Sequence, residues 1–166
     1  WDAVILQENS SRPIDDAKSM KEYAAKLHQL IKSQGAQTVL FMTWARQDKA
    51  GTQRRIAIAY EETAKETGAA LAPVGLAWQK ARTASKPITL HSADKSHPNE
   101  QGSYLAACVF FALLVDPKTD GLPGRRDPLV PRPVAAQQVL QRAFPSCLRQ
   151  IVGDRREIPG IDPRDR

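Results

Sequence analysis

Three short, continuous apolar runs alternate with segments of helical periodicity, and few folds accommodate that order. Ala3–Leu6 reads AVIL, residues 38–43 read TVLFMT, and Ala70–Ala72 reads ALA. Runs of this length without polar alternation are strands buried on both faces, the pattern of a parallel sheet. Between the first two, Asp15 or Asp16 can cap a helix that carries Tyr23, Leu27, Leu30 and Ile31 at i, i+4, i+7 and i+8 and stops at Gly35. A second helix is predicted over Gln53–Thr67, closed by Gly68, and a short third over 76–82 after Pro73-Val74-Gly75. With right-handed crossovers the order β-α-β-α-β-α makes an α/β fold of three layers, a parallel sheet covered by helices.

The rest of the chain divides into a helix and a breaker-rich end. Residues 100–115 include Tyr104, Leu105, Cys108, Val109, Phe111, Ala112 and Leu113 with almost no polar face, so this helix is expected to be largely buried. Gly121, Pro123, Gly124, Pro128, Pro131 and Pro133 then form a connector, followed by a helix near 134–144. One domain over 1–150 and a charged, flexible tail over 151–166 fit a length of 166 residues. Trp1 opens the chain on what reads as a strand, with no initiator Met, which leads us to expect an upstream segment with further strands; compartment stays open, a secreted or periplasmic location included.

Charge and cysteines narrow the function classes. The net charge is +6, and residues 118–166 hold ten Lys/Arg against six Asp/Glu without interleaved aromatics, so a nucleic-acid partner is not expected. No apolar run is long enough to span a bilayer. Cys108 and Cys147 lack metal-ligand spacing; Cys108 is expected to be a small buried hydrophobe, and its pairing with Cys147 is left open. No G-x-G-x-x-G or Walker loop points to a nucleotide, and no cofactor is expected.

The stretch that carries chemistry is Asp94-Lys95-Ser96-His97-Pro98-Asn99, followed by Gly102-Ser103-Tyr104-Leu105-Ala106-Ala107. Pro98 suits a first helical turn, which puts His97 on a loop just ahead of the helix. In D-x-x-H the carboxylate can reach one imidazole nitrogen and fix the tautomer, leaving the other to accept a hydroxyl proton. His91, Asp94 and His97 also spell H-x-x-D-x-x-H, but Asp94 is better explained as the orienter of His97, and no metal is expected.

These residues, with Val4-Ile5-Leu6-Gln7-Glu8-Asn9-Ser10, resemble the SGNH/GDSL-type serine hydrolases, in particular bacterial members with an L-Q-E-x-S third motif and a D-x-x-H-P-x-x-x-G-x-Y-L-A-A last motif. The resemblance implies a flavodoxin-like fold and a serine esterase in which His97 is the base, Asp94 its orienter and Asn9 an oxyanion donor. Gln7 stands where the third motif has Gly and Ser10 where it has Asp. The nucleophilic Ser and an oxyanion Gly belong to motifs upstream of the strand at Ala3, so the 166 residues alone are expected to be inactive.

Ser10 and Ser11 lie at a strand end but in no G-x-S-x-G elbow, and capping explains them better. Gln7, Glu8, Trp44 and Arg46, at or just after strand ends, are candidates to line a substrate cleft. The expected substrate is a small ester or an acylated carbohydrate, and the sequence does not fix the oligomeric state. The competing reading is a non-catalytic binding domain on the same scaffold.

Overall fold

The computed structural model describes residues 1–84 and 88–114. The predicted helix near 134–144, the connector before it, the tail and Cys147 lie outside the described residues. Strands β1 (Ala3–Leu6), β2 (Gln37–Phe41) and β3 (Ala70–Ala72) form one parallel sheet in the order β1-β2-β3. Ile5 is level with Val39 and Leu6 with Leu40, while Leu40 is level with Leu71. The helices are α1 (Arg12–Asp15), α2 (Ala17–Ser33), α3 (Gln53–Thr67), α4 (Val74–Arg82) and α5 (Glu100–Leu114).

Local signals set most boundaries. Asp16 caps α2 by accepting from Ser19 N at 3.1 Å, and this bond lowers its carboxyl pKa. Gly68, at φ +76°, ends α3, with its N–H on Ala64 O at 2.8 Å. The one-turn helix α1, with Pro13 near its start, was not expected from periodicity because four residues hold too little of it.

The sheet separates two packed layers. Val39 and Ala72 face Trp78, Ala81, Leu105 and Val109 of α4 and α5. On the other side Leu40 and Leu71 meet Met20 of α2 and Ile56 and Tyr60 of α3. Side chains alternate across each strand, so neighbouring residues such as Val39 and Leu40 serve opposite layers.

Two expectations about helix faces need correction. In α2 the stripe Tyr23, Leu27 and Leu30 points to solvent, at 61%, 45% and 65% exposure. The sheet instead receives Met20 and His28, whose Nδ1 lies 3.0 Å from Thr38 Oγ1, and Ile31 of the expected stripe is half-buried. In α5 only one face is buried, through Gly102, Leu105, Val109, Ala112 and Leu113, while Tyr104 and Phe111 are exposed and Cys108 is half-exposed. Both helices carry apolar residues around more of their circumference than the described chain covers. β1 shows the same excess: Ile5 is 47% exposed, and among the described residues only β2 pairs with this strand.

Candidate active site

The loop from Leu90 to Asn99 is a closed, hairpin-like turn held by its own backbone. Asn99 N donates to Leu90 O at 2.9 Å and Ser92 N to His97 O at 2.9 Å, and His91 bridges Pro98. Pro98 therefore belongs to the loop rather than to the first helical turn. Asn99 is the cap of α5, its Oδ1 accepting from Gly102 N at 2.9 Å while its Nδ2 donates to Thr89 O at 2.9 Å.

Within this loop Asp94 is the organising residue. Its Oδ1 accepts from Ser96 N at 2.8 Å, His97 N at 2.9 Å and Ser92 Oγ at 2.9 Å. Its Oδ2 meets His97 Nδ1 at 2.5 Å. The bond from His97 and those from the Ser96 and His97 amides hold the carboxyl well below the ordinary carboxylate range. An ionised Asp94 keeps the proton on Nδ1, so the neutral ring presents Nε2 as an acceptor. The His97 side chain is 80% exposed, and Nε2 has no hydrogen-bond partner among the described residues.

The loop is anchored to the end of β2. Trp44 Nε1 donates to Ser96 O at 2.9 Å and Gln47 N to Lys95 O at 2.9 Å. Lys95 adopts φ +62°, a left-handed conformation that side chains disfavour; its N–H donates to Ser92 O in the turn that brings the Ser96 and His97 amides onto Asp94. His91 is buried, with Nε2 3.0 Å from Ala45 O, and burial lowers its pKa. His91 and His97 thus use their nitrogens in different places, and the described residues contain no cluster of three metal-ligating side chains.

Asn9 lies past the C-terminal end of β1, at the same end of the parallel sheet as the segment after β2. Its Oδ1 accepts from Ser11 N at 3.0 Å and Ser11 Oγ at 3.2 Å, a turn expected of Asn9, while Ser11 precedes α1 without the side-chain cap expected of it. With that oxygen occupied, the amide NH₂ remains as a donor. Glu8 accepts from Asn9 N at 2.6 Å and faces Arg12 at 3.8 Å, and Gln7 is exposed. Arg46 pairs with Asp48 at 3.3 Å, and Trp44 is half-buried, stacked on Trp78 with ring centres 4.0 Å apart.

Three supporting residues escape the sequence reading. Tyr60, buried in α3, accepts from Glu8 N at 3.2 Å through its hydroxyl and so supports the Asn9 turn from below; burial raises its pKa. Gln53 accepts from Ala45 N at 2.7 Å and donates to Thr43 O at 3.3 Å, bracing the chain that carries Trp44. Gly102 allows α5 to meet the loop: a Cβ there would lie 2.4 Å from Leu90 O and 2.6 Å from the Trp78 ring. Only Gly102 stood in a quoted motif; Tyr60 and Gln53 look like ordinary helix positions until the fold is known.

No protein-family model matches the chain, and no curated protein sequence matches it. Among solved structures the chain is similar to a protein described as "a putative SGNH hydrolase" from Slackia heliotrinireducens, at 31% identity and a TM-score of 0.56. The match covers 66% of this chain and 64% of that one, so the chain spans less than two thirds of that protein's length. This shared sequence and the parallel, helix-flanked sheet support a relationship to the SGNH-type hydrolase superfamily.

Proposed function

We propose that the protein hydrolyses esters of small alcohols or carbohydrates, with His97 as general base, Asp94 as its orienter and Asn9 as an oxyanion donor. The nucleophilic serine comes from a segment outside these 166 residues, seated against the edge of β1 that no other described strand covers. The observation that carries this reading is the loop geometry: Asp94 Oδ1 accepts three hydrogen bonds, Oδ2 holds His97 Nδ1, and Nε2 is left open. In the first half-reaction the serine hydroxyl gives its proton to His97 Nε2 as its oxygen bonds the acyl carbon. The tetrahedral oxyanion is held by donors including the Asn9 amide, and collapse expels the alcohol with the proton from His97. Water, deprotonated by the same nitrogen, then releases the acid.

The test uses the full-length polypeptide and a fluorophosphonate, which labels a serine only when a base activates it. Labelling of one serine outside the 166 residues, abolished by His97→Ala together with p-nitrophenyl acetate turnover, is the expected result. Unchanged turnover in His97→Ala would refute the mechanism. Labelling at Ser10 or Ser11 would refute the origin of the nucleophile.

A further inference from the structure

A cavity of about 160 Å³ lies behind the acid–base loop, between the chain following β2 and the last turns of α4. Its apolar wall is made by Trp44, Trp78 and Ala50, and its polar side by Gln79, Arg82 and Thr83. Among the described residues no carboxylate lines it.

The polar groups have donors to spare. Arg82 reaches Gln47 O at 3.5 Å, the limit of a hydrogen bond, and has no carboxylate within 4.0 Å among the described residues, whereas nearby Arg46 is paired with Asp48. Among the described residues Trp78 Nε1 is buried without a hydrogen-bond partner, and the Gln79 side-chain amide makes no hydrogen bond. A guanidinium with free N–H groups beside an aromatic wall complements a planar carboxylate on a short apolar body, because the fork matches both oxygens. An inorganic anion would use the fork and leave the aromatic wall unfilled.

We propose that this cavity binds a small monocarboxylate, its charged end on Arg82 and its alkyl part against Ala50 and the two indoles. One lining residue and the acceptor of another also hold the acid–base loop: Trp44 donates to Ser96 O, and Gln47, whose carbonyl accepts from Arg82, donates through its backbone N–H to Lys95 O. Occupancy therefore tightens the loop that carries Asp94 and His97. The binding itself does not depend on the hydrolase reading.

The test is a titration of the ¹⁵N-labelled 166-residue chain with sodium butyrate, following the indole N–H signals. Trp1 is fully exposed and serves as an internal reference. Saturable shifts of the Trp44 and Trp78 signals, with Trp1 still, are expected. Arg82→Gln should weaken binding at least tenfold and Arg82→Lys by less, since lysine keeps the charge but not the fork. Ala50→Leu, which fills the apolar wall and leaves the guanidinium intact, should also weaken it tenfold and carries the test if Arg82→Gln disturbs folding. The absence of a saturable shift, equal affinity in Ala50→Leu, or the same shifts with sodium sulfate at matched ionic strength would overturn the proposal.

Discussion

Asp94 concentrates the chemistry of this chain in one carboxylate. Asp94→Asn keeps the shape but can no longer hold the Nδ1–H tautomer, and in the full-length protein kcat is expected to fall by about 10⁴ while KM changes little, measured on a p-nitrophenyl ester. The same carboxylate links stability to pH. Its pKa is lowered in the folded state, so its contribution is fully present above the ordinary value of 3.8 and is lost as pH falls below it. Thermal melts from pH 7 to pH 2.5 should therefore show the stability advantage of the natural chain over Asp94→Asn shrinking below about pH 4; a gap constant with pH would contradict this. Lys95 offers a separate test of the turn. At φ +62° glycine is the easier residue, so Lys95→Gly should hold or raise stability, whereas Lys95→Val should cost about 1–2 kcal/mol by denaturant unfolding. The D-x-x-H spacing was legible because both partners lie within one short loop. Nothing in the spacing reveals that Lys95 must be left-handed or that Trp44, far away in sequence, holds the loop at Ser96.

At the scale of elements, helix α5 and the loop before it form one unit through Gly102. The Cβ of alanine there would come within 2.4 Å of Leu90 O, which is backbone and cannot swing away. Gly102→Ala should destabilise the fold by about 1–3 kcal/mol, a drop of roughly 2–4 °C in Tm for each kcal/mol, and disperse the Ser96 and His97 amide signals. Gly75 is as tightly placed, its Cβ position 2.1 Å from Thr43 O, and it sets how closely α4 follows the end of β2. Boundaries governed by local chemistry were readable: α3 spans Gln53–Thr67 as its pattern and closing glycine indicate, and β3 spans Ala70–Ala72. Faces were not. The stripe Tyr23, Leu27 and Leu30 obeys helical periodicity perfectly well, yet Met20 and His28 occupy the sheet side. Periodicity reports that an apolar stripe exists; when α2 carries two, only packing selects which one meets the sheet.

For the whole molecule, exposed apolar residues lie in both layers that flank the sheet. Ile5 shares its sheet face with Val39, on the α4 and α5 side, and Tyr104 and Phe111 project from α5; Tyr23, Leu27 and Leu30 project from α2 in the opposite layer. Among the described residues the outer edge of β1 is unpaired and both layers beside the sheet keep exposed apolar side chains, a surface that another strand and its helices would cover. Prepared as these 166 residues alone, the chain should associate in a concentration-dependent way by sedimentation. Leu27→Glu with Leu30→Glu should reduce that association while leaving the melting temperature within a few degrees, since both side chains are already in water. A monodisperse monomer at high concentration would count against this account of the edge.

The sequence by itself determined the alternation of strands and helices, a helix start at Asp15 or Asp16, the stop at Gly68, and the adjacency of Asp94 and His97, because each depends on residues a few positions apart. Only the tertiary structure decided which helix stripe is buried, that Tyr60 and Gln53 support the two strand-end turns, and that Trp44 and Gln47 join the acid–base loop to a cavity carrying Arg82. Apart from that of Gln53 with Ala45, those contacts bring together residues separated by tens of positions. The chain records such pairs only through the packing that the whole sheet imposes.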